Sequence, residues 1–164
     1  MNKGTLLTLI AISALASSCS DEPATSDVDN EEAKIAAMFN GFYSGSTYSS
    51  VTNTTETETM NFSPYASAQK IELPYSPGWA WVFGTVDYSK YYNDHLLEVS
   101  RQCYYTVTMD YVGATTVLRL YPYGDNGSVN SHNYDYIVSS VTPTSFVMRL
   151  EGLTADNNKT MNRK

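Results

Sequence analysis

The sequence predicts an all-β domain, an antiparallel barrel of about eight strands preceded by one short helix. The chain is rich in residues that favour strands, with 14 tyrosines among its 164 residues. Apolar and polar side chains alternate in short segments that Gly, Pro and Asn separate. The connections between these segments are too short for the crossovers that parallel neighbours need. Closing such a sheet into a barrel removes its unpaired edges. The alternative fold is an immunoglobulin-like β-sandwich.

A single helix is predicted in the segment DNEEAKIAAMFNG, residues 29–41. Asp29 or Asn30 can cap it, and two glutamates follow in the first turn, where the helix dipole favours negative charge. An apolar stripe at spacing i, i+3 and i+4 is formed by Ile35, Met38 and Phe39. This stripe would pack the helix onto the barrel.

After the helix, the period of the apolar residues changes to two. The segments with strand character are 41–50, 55–62, 78–89, 95–100, 101–111, 114–123, 133–141, 144–152 and 159–164. Val112–Gly113 and the region around Pro143 predict short hairpin connections. The predicted barrel domain spans residues 31–164.

Residues 1–18 have the order of a secretory signal: Lys3 near the start, an uncharged apolar run at 5–16, and then small residues. The apolar run is shorter than the roughly 20 residues of a membrane span. Cys19 follows the small residues and resembles the cysteine of a bacterial lipobox. This resemblance implies cleavage before Cys19 and a thioether bond from its thiol to diacylglycerol. An ordinary signal peptide is the alternative.

The polar segment 19–30 predicts a flexible acidic tether. Its first residues, CSDE, resemble the export signal of surface lipoproteins of Bacteroidota, in which serine and acidic residues follow the lipidated cysteine. The resemblance implies an outer-membrane lipoprotein that faces the outside of the cell. If the acids are only a solvated linker, the periplasmic face is the alternative location.

The negative net charge of the chain limits which partners it can bind. The chain has 10 basic and 17 acidic residues and a formal net charge of −7. Nucleic-acid binding requires a basic surface, so a nucleic-acid partner is disfavoured. Electrostatic docking on anionic lipid is disfavoured for the same reason. The membrane partner is therefore expected to be the lipid attached to Cys19.

The order of helix, antiparallel meander and final hairpin YDYIVSSVTPTSFVMRL, residues 134–150, resembles the small lipocalin-like lipoproteins of Bacteroidota. Phe42 and Tyr43 stand where the tryptophan of the lipocalin Gly-x-Trp motif would be sought. The resemblance implies a non-enzymatic module that binds a small apolar molecule or a glycan. The alternative is an interaction module, an inhibitor or accessory subunit that binds a surface protein.

An aromatic cluster supplies the candidate ligand-binding residues. They are Tyr75, Trp79, Trp81 and Phe83. Pointing inward, these side chains would belong to the core or line a barrel pocket, whereas pointing outward they would form a platform for a sugar or a protein. We expect at least one of the two tryptophans to lie in the core.

Other polar residues carry weaker signals. Glu56 and Glu58 share one face of their strand with Met60 and Phe62, and their spacing is compatible with a glycosidase pair. The threonines around them nevertheless favour a solvent-exposed strand. His95 and His132 lack the spacing of a zinc site. Cys103 falls on the same alternating face as Tyr105, Val107 and Met109 and is expected to be a small buried side chain. The sequence thus predicts no catalytic site, metal site or cofactor.

Overall fold

The computed structural model describes residues 30–73, 78–93, 95–110, 115–123 and 133–164. Eight antiparallel strands follow one short helix, each strand pairs with the next, and the last strand returns to the first. The elements are α1 (Asn30–Met38), β1 (Gly41–Ser49), β2 (Thr54–Glu72), β3 (Trp79–Tyr92), β4 (His95–Asp110), β5 (Thr115–Pro122), β6 (Tyr134–Ser139), β7 (Ser145–Leu150), a 3₁₀ turn (Ala155–Asn157) and β8 (Lys159–Arg163). The predicted lipocalin-like barrel is confirmed, and the sandwich alternative is excluded.

The barrel closes where β1 meets β8, with Tyr43 opposite Arg163. Gly45 makes this contact possible. A Cβ atom at Gly45 would lie 2.5 Å from the carbonyl oxygen of Thr160 and 2.6 Å from Sδ of Met161. Only a residue without a side chain lets the two strands approach this closely.

Two strands are longer than the sequence predicted. The predicted strand ends at Phe62, whereas β2 continues through Pro64 to Glu72. The strand tolerates the proline because its register against β3 shifts between Pro64 and Gln69, and proline occurs in strands at such irregularities. The two segments predicted between residues 95 and 111 form the single strand β4.

One end of the barrel, the closed end, is covered by α1. Phe39, which follows the helix, is fully buried, and its ring lies 5.1 Å from Phe62 and 5.0 Å from Phe146 between centroids. The buried Tyr43 donates a hydrogen bond to the carbonyl of Met38 at 3.1 Å. Tyr43 therefore joins β1 to the helix.

Cys103 lies inside the barrel, fully buried together with Tyr105 and Val107 on the same face of β4. Burial raises the pKa of its thiol to about 12. The prediction of a small buried side chain is confirmed, and the thiol is protonated at neutral pH.

The helical content of the described residues is small. None of their helices has the length and apolar character needed to cross a membrane.

Candidate functional site: a polar cavity at the open end

The barrel end opposite α1, the open end, contains a cavity of about 440 Å³. It is bordered by the last residues of β1, the first residues of β2 and the last residues of β3, together with β6, β7 and β8. The lining residues are Thr47, Ser49, Thr54, Glu56, Glu58, Tyr88, Lys90, Tyr92, Tyr134, Tyr136, Met148, Arg149, Leu150, Leu153, Asn157 and Lys159. The volume lies within the range of about 300–1,000 Å³ typical of small-molecule sites.

Strand alternation places the two glutamates in this cavity. Met60 and Phe62 point into the barrel and are buried, and residues two and four positions before Met60 share that face. Glu58 is accordingly only 6 % exposed, and both Glu56 and Glu58 line the cavity. The interpretation of these acids as a solvent-exposed face is wrong, because the threonines between them occupy the other face of β2.

Lys159 of β8 connects the two carboxylates. Its Nζ donates to Oε1 of Glu56 at 2.9 Å and to Oε2 of Glu58 at 2.8 Å. A second lysine, Lys90 of β3, lies 3.0 Å from Oε2 of Glu56. Two carboxylates and two ammonium groups therefore form one charge-balanced network in the wall of the cavity, hereafter the ion network.

The inner side of the ion network is completed by tyrosines. The hydroxyl of Tyr88 donates to Oε1 of Glu58 at 2.9 Å, and that of Tyr136 donates to the Tyr88 oxygen at 3.2 Å. Burial raises the pKa of Tyr88 well above its ordinary value, and Tyr136 and Glu58 raise it further. Burial likewise raises the pKa of Tyr136. Both phenols therefore remain protonated donors at neutral pH.

Glu56 differs from Glu58 in its access to the cavity. Its side chain is 31 % exposed, and that of the neighbouring Lys90 is 23 % exposed. Burial opposes ionisation of Glu56, but hydrogen bonds to Lys159 and Lys90 and their charges outweigh it, so its pKa lies below the usual range. An ionised carboxylate next to an ammonium group is thus presented to whatever occupies the cavity.

The aromatic candidates lie elsewhere. β3 pairs with β4 only from Gly84 onward, whereas it pairs with β2 from Trp79 onward. This β2–β3 hairpin extends past the barrel, and so Trp79 is 62 % exposed and Trp81 is half-buried. The expectation of a core tryptophan is wrong. Both tryptophans precede Gly84, the residue at which pairing with β4 begins, and so they have a strand neighbour on one side only. Phe83, adjacent to Gly84, does join the core.

None of the described aromatic candidates lines the cavity. Trp79 instead contacts Lys70, whose Nζ lies 5.7 Å from the centre of its ring. Tyr75 lies outside the described residues, as do Cys19, the rest of the predicted tether up to residue 29, and His132. His95 begins β4 as an exposed residue. Within the described part of the chain, no three His, Cys, Asp or Glu side chains cluster as metal ligands would.

Sequence reasoning missed most of the cavity residues. Lys159 and Glu58 are 101 positions apart in the chain. Only barrel closure, which pairs β8 with β1, brings the side chain of Lys159 to the carboxylates of β2. A local signal did exist, because Lys159 shares one face of its strand with the buried Met161, as Glu58 does with Met60. Following the apolar face of each strand to its end would have identified these charged residues as inward-facing.

Comparison of the chain with protein-family models, with curated proteins and with solved structures finds no match.

Proposed function

We propose that the protein is a lipid-anchored outer-membrane lipoprotein whose barrel binds a small ligand in the open-end cavity. The observation that carries this proposal is the cavity itself, about 440 Å³ in volume and lined by tyrosines, hydroxyl groups and the ion network. A few polar groups converging on a concave site are typical of small-molecule binding. In a barrel of eight strands, the interior either is filled by side chains or holds one small ligand.

The position of α1 supports this arrangement. The hydroxyl of Tyr105 contacts the carbonyl of Ala36, and Glu32 accepts a hydrogen bond from the backbone of Met109 at 2.8 Å, both at the closed end. The predicted anchor Cys19 precedes α1 in the chain. An anchored protein would therefore be attached through its closed end, and the cavity would open toward the medium.

The lining favours a polar ligand such as a glycan over an apolar one. Met148, Leu150 and Leu153 are the aliphatic members of a lining that is otherwise polar or tyrosine. An apolar ligand would cover Glu56 and Lys90 without replacing their contacts with water, and burying unsatisfied charged groups is unfavourable. We therefore infer that the ligand carries its own hydrogen-bonding groups.

Native mass spectrometry of the full chain, purified in detergent from the membranes of expressing cells, tests the binding function. We expect a small molecule to co-purify, and the double variant Thr47→Trp, Ser49→Trp, which fills the cavity from β1, to lose it. Ligand retained by a correctly folded cavity-filled variant would place binding elsewhere and contradict the proposal.

The anchor has its own test. Growth with a radioactive fatty acid should label the wild-type chain, whereas Cys19→Ala should carry no label and leave the membrane fraction, because the acylated thiol is absent. Equal labelling of both chains would rule out Cys19 as the attachment site.

Binding of a surface protein is the second candidate function. It is favoured by one observation, the exposed Trp79 on the hairpin that extends past the barrel, since tryptophans are enriched in the centres of protein interfaces. Cross-linking on intact cells followed by purification distinguishes the two candidates. A partner lost in Trp79→Ala would support the interaction module.

A further inference from the structure

The ion network faces the cavity on one side and is sealed on the other. Glu58 and Lys159 are each only 6 % exposed, whereas Glu56 and Lys90 are partly accessible, with 3.0 Å between Glu56 Oε2 and Lys90 Nζ. The sealed pair holds the accessible pair in place through Lys159, which contacts both carboxylates. A fixed acceptor and a fixed donor therefore stand side by side at the cavity surface.

Stability alone gives little reason for this network. A buried ion pair must offset the loss of hydration of both charges, and apolar side chains of similar volume are often equally or more stabilising. The closed end shows that apolar filling works in this barrel, because Met60, Phe62 and Phe146 are buried there in one apolar cluster. Charges kept where the interior is hollow point to recognition of a ligand.

The geometry of the accessible pair selects a hydroxyl group. A hydroxyl donates one hydrogen bond and accepts others, so a single hydroxyl can donate to Glu56 and accept from Lys90 at the same time. The ion network carries no net charge, because two carboxylates face two ammonium groups. A ligand with a formal charge would therefore find no unbalanced counter-charge in the network. Arg149 is the other charged residue of the lining. Because its neighbour Met148 is buried inside the barrel, strand alternation places Arg149 on the outer face of β7.

The rest of the lining fits a ring that is polar at its edge and apolar on its faces. Tyr88 and Tyr134 have ring centroids 5.4 Å apart, and both line the cavity with Tyr92. Tyrosine rings offer flat apolar surfaces that lose little side-chain entropy on binding. Hydroxyl groups from Thr47 and Ser49 lie on the β1 side of the same space.

We propose that the cavity binds a neutral saccharide, whose hydroxyl groups bond to Glu56 and Lys90 and whose ring packs against the cavity tyrosines. This inference rests on the proposed binding function and narrows its ligand to one chemical class. It places saccharide recognition inside the barrel and away from the exposed hairpin of Trp79.

Calorimetric titration of the purified mature chain tests the inference. The panel comprises neutral mono- and disaccharides, uronic acids, amino sugars and a fatty acid. We expect at least one neutral sugar to bind and the charged sugars and the fatty acid to bind more weakly. Glu56→Gln and Lys90→Met should each weaken binding about tenfold or more, the loss expected when a hydrogen bond to a charged group is removed. Trp79→Ala is the control and should bind as the wild type does.

Thermal melts accompany each variant, so that a loss of binding is counted only where the barrel remains folded. Binding of a charged sugar or of the fatty acid, in place of neutral sugars and sensitive to Glu56→Gln, would overturn the saccharide inference and leave the binding function standing. Sugar binding that is lost in Trp79→Ala and kept in Glu56→Gln would move the site to the hairpin and overturn the inference as well. Binding of no compound, together with no co-purified molecule, would count against both.

Discussion

The two ends of the barrel are built from the same strands but use their inward faces differently. At the closed end, Phe39, Phe62 and Phe146 pack with ring centroids between 5.0 and 6.3 Å apart. At the open end, the same face of β2 carries Glu58 and Glu56, and the interior is hollow. The closed end holds the barrel together, whereas the open end has side chains arranged around a space.

This difference shows how one strand combines apolar packing at one end of the barrel with a polar cavity wall at the other. Along β2, each step of two residues moves from Phe62 through Met60 to Glu58, and the interior changes from aromatic packing to a hydrogen-bonded network. The apolar half can carry most of the burial energy, because transfer of apolar surface from water is the main stabilising contribution. The polar half is then available for a ligand.

The largest expected effect concerns the closed end. Phe62→Ala should lower the free energy of unfolding by about 3–5 kcal/mol, because it leaves a void among four aromatic rings. Thr47→Ala, which only borders the cavity, should change it by less than about 0.5 kcal/mol. Chemical denaturation measures both, and equal losses would contradict the division of the barrel into a packed and a hollow end.

The second effect concerns the ion network. Lys159→Met should destabilise the barrel by about 3 kcal/mol, because it leaves the Glu58 carboxylate buried without a positive partner. Adding Glu58→Gln should recover most of this loss, since a neutral amide still accepts from Tyr88. Denaturation midpoints of the single and double variants measure the loss and its recovery. A single variant as stable as the wild type would mean that the network contributes nothing to folding.

The third effect is a pH dependence. The folded pKa values of Tyr88 and Tyr136 are raised by burial, whereas an unfolded tyrosine titrates near about 10. The stability linked to these protons is fully present below about pH 10 and is lost as pH rises further, because only the unfolded chain releases them. Tyr88→Phe should reduce this alkaline loss by up to about 1.4 kcal/mol per pH unit. Unfolding curves between neutral and alkaline pH test it, and identical slopes would refute it.

The smallest effect concerns the hairpin. Trp79→Ala should lower the free energy of unfolding by no more than about 1 kcal/mol, the scale of its cation–π contact with Lys70. Phe83→Ala, in the same strand but buried, should remove about 3–5 kcal/mol. Thermal melts compare the two, and a large loss in Trp79→Ala would restore the view that the tryptophan is structural.

Strand alternation predicted much of the fold but stopped short of the site. It placed Cys103 inside and put Glu56 and Glu58 on the same face as Met60 and Phe62, and the structure confirms both. It failed at Trp79, because alternation does not indicate where a strand leaves the barrel. The error for the glutamates has a different cause. The neighbouring threonines are polar and indicate exposure, but they lie on the opposite face of β2.

Local patterns in the chain are enough to predict the elements and their order: one helix, then strands with short connections that permit only antiparallel neighbours. Local propensity and alternation act over a few residues, so they can be read from the chain. The composition of the cavity and its position at one end of the barrel depend instead on the tertiary structure. Barrel closure brings Lys159 within 2.8 Å of Glu58, and the packing of α1 closes one end while the other remains hollow. Both depend on contacts between residues distant in the chain.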